Sequence, residues 1–270
     1  MSEKDQSIWD GFESLFSDQE DLSLAETMPA SHVVSEIGNQ RPILNVLIIV
    51  DVSGSMNGIR IGQVNYALEN IIKGMRNRFD LNSVIKIGIM EFSDQAEWKT
   101  EKPLLLEDYV FTELKTRQAI TCYAKAFDAL NLKLSRDAFM DPGRGEYYAP
   151  LILFVTDGEP VDVEEYPAAL DRLFHNGWFR KASRYAIAVG SEAGSNTVRD
   201  VLTQFTGLKE NVRYADEGEA LCELIEFITI RGSEVQTSMA STLGKERPED
   251  RSIFQETDPH LFSSMFEDKE

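Results

Sequence analysis

The chain has 270 residues, of which 42% are hydrophobic and 10% aromatic, enough for the core of one large α/β domain or two small ones. Its 27 Lys and Arg against 46 Asp and Glu give a formal net charge of −19, which disfavours nucleic acid and anionic membranes as partners. Two distant cysteines and three histidines form no zinc-ribbon pattern. The start at Met1 does not resemble a signal peptide, and no apolar run reaches membrane-spanning length. We therefore expect a cytoplasmic protein with no membrane contact.

Residues 1–40 form an acidic arm, with nine acidic residues and a single Lys. Within it, Trp9, Phe12 and Phe16 fall on one side of a short predicted helix. The arm is either a solvated tail or an aromatic recognition segment that docks into a groove. Both interpretations stay open.

The segment from Leu44 to Val50 is continuously apolar and rich in β-branched residues, which predicts a strand buried on both faces. The strand ends in Asp51, Ser53 and Ser55, at the sheet edge where α/β proteins bind ligands. One carboxylate and two hydroxyls are hard oxygen ligands that suit Mg²⁺ or Mn²⁺. The number of ligands is too small for a closed cage, so coordination positions remain for water or for a partner's acidic group.

The central part of the chain predicts alternating helices and strands. A helix is expected over about 59–78, a strand over 83–92, and an antiparallel edge strand over 94–100, with Pro103 limiting further pairing. The next helix, 122–135, has Thr121 as its predicted N-cap.

A second doubly buried strand, 148–156, ends in Asp157 and Gly158, and Asp162 is expected to cap a helix. The remaining predicted elements are a helix at 163–179, a strand at 183–189, a helix at 196–205, a strand at 212–214 and a helix at 218–229. The alternation predicts a doubly wound, mostly parallel α/β sheet flanked by helices, with one antiparallel edge strand.

These boundaries give an N-terminal arm at 1–40, a domain at 41–232 and an acidic C-terminal tail at 233–270. The tail contains Phe262 and Phe266 among acidic residues. It too is either a flexible tail or a docking segment.

The motif and its distant partners resemble the von Willebrand factor type A family over about residues 43–230. The residues that carry the resemblance are Asp51, Ser53, Ser55, Thr121, Asp157 and Gly158. The resemblance implies a Rossmann-like fold and a metal-ion-dependent adhesion site (MIDAS), in which a divalent cation is held by Asp51, Ser53, Ser55, Thr121 and Asp157. The family usually has Gly-Gly before the threonine, whereas this chain has Ala119 and Ile120, so Thr116 is an alternative ligand.

Residues 154–160 and 134–136 are most similar to the bacterial tellurite-resistance TerY-like group. That resemblance implies a scaffold in a stress-response or defence complex, with a protein kinase and a PP2C-type phosphatase as partners.

The sequence suggests three functions to compare. The first is a non-enzymatic interaction module whose bound Mg²⁺, Mn²⁺ or Ca²⁺ takes a partner's acidic side chain. The second is a platform whose acidic aromatic ends make the contacts. The third, phosphoryl transfer, is disfavoured because Ser53 stands where haloacid-dehalogenase-type phosphatases need a second acid, and no Gly-x-x-x-x-Gly-Lys loop is present.

Overall fold

The structure, a computed structural model, describes residues 41–78, 83–141, 143, 145–190, 195–215 and 219–241. The predicted N-terminal arm and the aromatic part of the predicted C-terminal tail lie outside these residues.

The described residues contain one seven-stranded sheet, flanked by helices, with strand order β3-β2-β1-β5-β6-β7 and β4 paired to β2. The strands are β1 (Ile43–Asp51), β2 (Val84–Phe92), β3 (Ala96–Trp98), β4 (Leu104–Leu105), β5 (Leu151–Thr156), β6 (Ser183–Val189) and β7 (Val212–Ala215). The pairings β1–β2, β1–β5, β5–β6 and β6–β7 are parallel, and β3 and β4 pair with β2 in the antiparallel sense. The predicted fold class is confirmed.

Helices cover both faces of the sheet, which explains why β1, β5 and β6 are buried along their whole length. The helices are α1 (Ile59–Arg78), α2 (Tyr123–Lys133), α3 (Tyr166–Phe174), α4 (Gly177–Lys181), α5 (Asn196–Thr206) and α6 (Glu219–Ser241). Helices α1 and α6 pack on the face that carries Val46 and Ile48. Helices α2 to α5 pack on the face that carries Leu47 and Ile49.

Three differences from the sequence prediction go beyond a few residues at the end of an element. Strand β4 begins directly after Pro103, because the proline precedes the first paired residue and leaves the ladder intact. The helix predicted at 163–179 is two helices, because the Asn176 side chain accepts hydrogen bonds from the backbone N–H groups of Trp178 and Phe179 and starts α4. Helix α6 extends to Ser241, beyond both the predicted helix end at 229 and the predicted domain boundary at 232.

The length and the hydropathy of a helix decide whether it can cross a bilayer. Within the described ranges, none of the helices combines the length and the apolar character that crossing a bilayer requires.

Candidate metal centre

The two acidic residues of the predicted site lie at the same edge of the sheet. Asp51 is the last residue of β1, and Asp157 directly follows β5. These strands are parallel neighbours, with Val50 opposite Val155, so both chains leave the sheet at its carboxyl edge. Residues separated by about a hundred positions in sequence therefore meet there.

Asp51 is fully buried, and both its carboxylate oxygens accept hydrogen bonds. Oδ1 accepts from the backbone N–H of Ser53 at 2.8 Å, and Oδ2 accepts from the hydroxyl of Thr156 at 2.7 Å. Burial raises the pKa of the Asp51 carboxyl to about 6, although the hydrogen bonds from Ser53 and Thr156 oppose the shift. The carboxylate is therefore held in place at a position where a negative charge is unfavourable without a nearby cation.

The two serines connect the strand end to Asp157. The hydroxyls of Ser53 and Ser55 are 3.1 Å apart, and the Ser55 hydroxyl donates to Oδ1 of Asp157 at 2.8 Å. Ser53 and Asp157 are buried, whereas Ser55 is exposed. The oxygen atoms thus form a cluster that is enclosed by protein on one side and open to solvent at Ser55.

Thr121 reaches this cluster and Thr116 does not. A Cβ atom placed on Gly158 would lie 3.7 Å from Oγ1 of Thr121 and 3.8 Å from Oγ of Ser55, so both hydroxyls border the same space. The Thr116 hydroxyl instead donates to Oδ1 of Asn57 at 3.1 Å. The geometry favours Thr121 over the alternative ligand.

The prediction that Thr121 caps the following helix is wrong. Cys122 is the N-cap residue of α2 and makes no side-chain capping bond. The carboxylate of Asp162 accepts from the N–H groups of Tyr123 at 3.0 Å and Ala124 at 2.6 Å, so Asp162 caps α2 and not the helix that follows it in sequence, whose N-cap is Glu165. The Thr121 hydroxyl is consequently not needed for capping.

The loop before Thr121 is fixed to the Asp-x-Ser-x-Ser segment by backbone hydrogen bonds. The N–H of Arg117 donates to the Val52 carbonyl at 2.7 Å, and the N–H of Gly54 donates to the Ala119 carbonyl at 3.2 Å. Ala119 stands where the family that the sequence resembles usually has glycine. Its backbone carbonyl nevertheless holds the two loops together.

Two site residues were missed by the sequence analysis. Thr156 binds the Asp51 carboxylate, and Nη1 of Arg60 forms an ion pair with Oδ2 of Asp157 at 2.7 Å. Thr156 could have been found from its position beside Asp157 at the end of a buried strand, where a polar side chain needs a partner. The contact of Arg60 with Asp157 could not have been predicted from the sequence, because a basic residue in the first turn of a helix is ordinarily solvated.

The donor set fits a hard divalent cation. Within the described part of the chain, no group of three or more His, Cys, Asp or Glu could hold a metal ion. Two carboxylates and three hydroxyls converge on one edge, and oxygen donors of this kind suit Mg²⁺, Mn²⁺ or Ca²⁺. The residues that would hold the ion are Asp51, Ser53, Ser55, Thr121 and Asp157.

Comparison with known proteins connects this arrangement to one family. The family model for the von Willebrand factor type A domain matches residues 46–159, which include every residue of the candidate metal centre. Human inter-alpha-trypsin inhibitor heavy chain H6 is 26% identical over 187 residues, or 66% of this chain. The chain spans 14% of the length of that human protein.

Two solved structures share the fold. The mussel byssus protein proximal thread matrix protein 1, with a zinc-occupied MIDAS motif, has a TM-score of 0.50 and 16% identity, covering 70% of this chain and 45% of that chain. The von Willebrand factor type A structure from Catenulispora acidiphila has a TM-score of 0.51 and 12% identity, covering 70% and 42%. At these identities the likeness shows the fold alone. Residues 46–159 of this chain are thus similar to the von Willebrand factor type A domain, and the solved structures share its fold.

Proposed function

We propose that the chain is a metal-dependent protein–protein interaction module. A divalent cation, Mg²⁺ first and Mn²⁺ or Ca²⁺ as alternatives, is held by Asp51, Ser53, Ser55, Thr121 and Asp157. The observation that carries the proposal is the Ser53–Ser55–Asp157 hydrogen-bonded cluster, buried at two members and exposed at Ser55. A cation bound mainly by neutral hydroxyls stays electrophilic, so it can accept an acidic side chain of a partner from the solvent side.

Asp51 has the role of an anchor in this proposal. Its two oxygens accept from Ser53 and Thr156, which orients the carboxylate, and each oxygen keeps a lone pair with which Asp51 would hold the cation directly or through water. The proposed function is non-enzymatic, and Ser53 stands where a haloacid-dehalogenase-type phosphatase needs a second acid.

Exposed apolar side chains beside the site support a protein partner. Ile120 precedes Thr121 and is 57% exposed, and Ile59 precedes Arg60 and is 64% exposed. Val161, whose N–H donates to the Thr121 carbonyl at 3.0 Å, is 53% exposed. An acidic side chain on a folded partner would bring apolar surface that covers these residues, whereas a small ion would not.

The metal ligation is tested by titrating Mg²⁺ or Mn²⁺ into the full chain and into two matched variants. Thr121→Val removes a proposed ligand hydroxyl, and Thr116→Val removes the hydroxyl bound to Asn57. We expect Thr121→Val to lose about tenfold or more in metal affinity, while Thr116→Val stays within about twofold of the wild type. Equal affinities for the two variants would contradict the ligand assignment.

The partner is tested by affinity capture with the wild type and with Asp51→Ala, each in Mg²⁺ and in EDTA. A partner bound through the metal is retained by the wild type in Mg²⁺ only. If Asp51→Ala in EDTA retains the same partner equally well, the metal-bridged interaction is wrong.

The narrower proposal is a scaffold in a bacterial stress-response or defence complex of the tellurite-resistance TerY-like kind, with kinase and PP2C-type phosphatase partners. It stays a prediction of the sequence resemblance, as does the cytoplasmic location. The alternative platform function places the contacts in segments outside the described residues. Deleting residues 1–40 or 242–270 distinguishes the metal-dependent function from the platform function. If the platform function is correct, the truncated chain loses its partner but still binds metal as the full chain does.

A further inference from the structure

Arg60 is a positively charged residue inside the metal centre. Its Nη1 donates to Oδ2 of Asp157 at 2.7 Å and to the Ser55 carbonyl at 3.3 Å. The Asp157 side chain is fully buried and that of Arg60 is largely buried, so the ion pair is shielded from solvent. The Asp157 carboxylate therefore has one oxygen on the Ser55 hydroxyl and the other on a cation that belongs to the protein.

The fold makes room for this guanidinium at Gly190. Gly190 follows β6 and has a φ of 81°, and its N–H donates to the Ala215 carbonyl at 2.8 Å. A Cβ atom at Gly190 would lie 2.8 Å from Nη2 of Arg60 and 3.0 Å from its Cζ. A side chain at Gly190 would displace the guanidinium, and the φ of 81° independently favours glycine at this position.

The charge of the site depends on Arg60. The Asp51 and Asp157 carboxylates contribute two negative charges, and Arg60 contributes one positive charge at contact distance from Asp157. With a divalent cation bound, the three side chains and the ion sum to one positive charge, whereas without Arg60 the sum would be zero.

We propose that Arg60 is a built-in counter-cation that weakens metal binding and strengthens the capture of a partner's carboxylate. This inference rests on the proposed function and deepens it. The guanidinium repels the incoming cation and competes with it for Asp157, so the metal is held less tightly. Once the metal is bound, the same charge attracts the acidic side chain that completes the coordination shell.

Arg60 is proposed to lower the affinity for metal and to raise the affinity for a carboxylate. A merely structural role of Arg60 would not produce opposite effects on these two affinities. In Arg60→Gln, we expect the Kd for Mn²⁺, measured calorimetrically on the full chain, to fall by about tenfold, because a nearby unit charge is removed from a divalent site that is partly screened by solvent. Loss of packing alone would disorder Asp157 and raise the Kd instead.

Carboxylate capture is measured with acetate as the probe. Mn²⁺ bound to the protein relaxes the methyl protons of acetate that enters its coordination shell, and neutral acetamide serves as the reference. With both proteins saturated by Mn²⁺, we expect the acetate affinity of Arg60→Gln to be at least about threefold lower than that of the wild type. Acetamide should show no difference.

Two further variants control the experiment. Arg172→Gln on α3 removes the same charge from an exposed ion pair with Asp128 on α2, and it should leave both affinities within about twofold of the wild type. Arg60→Lys keeps the charge and should also stay near the wild type, although it loses the second guanidinium nitrogen. Thermal unfolding of each variant in EDTA verifies that it is folded.

The outcomes distinguish this inference from the proposed function. If the wild type and Arg60→Gln bind Mn²⁺ with equal affinity, or if Arg60→Gln binds more weakly, the counter-cation role is wrong and the metal site stands. If Arg60→Gln behaves as Arg172→Gln does in the acetate measurement, carboxylate attraction by Arg60 is wrong. If neither protein binds Mn²⁺, the proposed function fails, and the inference fails with it.

Discussion

The buried carboxyl group of Asp51 makes the metal-free protein less stable than it would be with a neutral residue. Asp51 is inaccessible to solvent, and the nearby Asp157 carboxylate adds repulsion to the cost of desolvation. Its hydrogen bonds from Ser53 and Thr156 offset this cost only in part. The Asp51 carboxylate therefore favours metal binding but lowers the free energy of unfolding of the metal-free protein.

Asp51→Asn should raise the free energy of unfolding in EDTA at pH 7 by about 1–2 kcal/mol, because the amide removes a buried charge and can still accept from Ser53. Urea denaturation measures the change, and the stabilisation that Mg²⁺ gives the wild type should be absent. Asp128→Asn, at an exposed ion pair, should change stability by less than about 0.5 kcal/mol. A variant that is less stable than the wild type in EDTA would contradict the argument.

The sequence predicted the proposed metal ligands that come with a motif and missed the neighbouring residues whose contacts come with packing. Asp51, Ser53 and Ser55 are contiguous, and Asp157 follows a strand whose burial is evident from its composition. Thr156 and Arg60 act only because β1 lies beside β5 and α1 begins near Gly190. Such contacts depend on tertiary structure, which periodicity and spacing do not specify.

At the scale of elements, the loop that delivers Thr121 is held by an ion-pair network on β2. Glu91 is buried and binds both Lys99, at 3.3 Å, and Arg117. Arg117 also binds Glu97 at 2.9 Å, and its backbone N–H donates to Val52. Charge on the strand thus fixes the backbone two to four residues before Thr121.

Glu91→Gln should loosen this loop, because Arg117 and Lys99 lose their shared buried carboxylate. We expect amide hydrogen exchange at Arg117 and Ala119 to become about tenfold faster, which corresponds to about 1.4 kcal/mol of local stability. Glu97→Gln is the control, since Glu97 is 65% exposed and should change exchange by less than about threefold. Unchanged exchange in Glu91→Gln would show that the backbone bonds alone hold the loop.

Two glycines in helices on the same face of the sheet should respond oppositely to one substitution. A Cβ at Gly232 in α6 would overlap Cδ1 of the buried Leu151, whereas a Cβ at Gly74 in α1 would meet nothing within 4 Å. Gly232→Ala should destabilise the protein by about 1–3 kcal/mol through overpacking. Gly74→Ala should stabilise it by about 0.5–1 kcal/mol through helix propensity. Thermal unfolding of both variants tests the pair, and shifts of the same sign would contradict the packing of α6 on β5.

The boundaries of an element could be predicted where the apolar pattern of the sequence matches the burial of the residues. The prediction failed where a side chain forms hydrogen bonds with the backbone that end one helix and start another. Strand β6 has its predicted ends because every residue from Ser183 to Val189 is buried. The helix break at Asn176 depends on a side chain that also donates to the carbonyl of Leu134, a contact made only in the folded protein. Apolar periodicity continues across such a break and conceals it.

For the molecule as a whole, the described core runs from Ile43 to Ile228 and is divided by one sheet into two layers. The acidic arm and tail contribute to the net charge of −19. In the proposed function, that charge and an exposed site for an acidic side chain would have complementary roles in partner choice. General repulsion of acidic molecules would restrict binding to partners whose acidic side chain the metal can reach.

The pairing of β1 with β5 also determines when in folding the metal centre comes into existence. Asp51 and Asp157 become neighbours only after the chain has closed the long crossover between these parallel strands, which is a late and slow event in sheets of this topology. A cation that bridges them needs both strand ends in their final positions, so it should stabilise the native state more than the transition state for folding. Mg²⁺ should therefore slow unfolding in stopped-flow experiments and leave the refolding rate nearly unchanged, and faster refolding in Mg²⁺ would contradict this order. The site would then lengthen the lifetime of the folded domain whenever metal is bound.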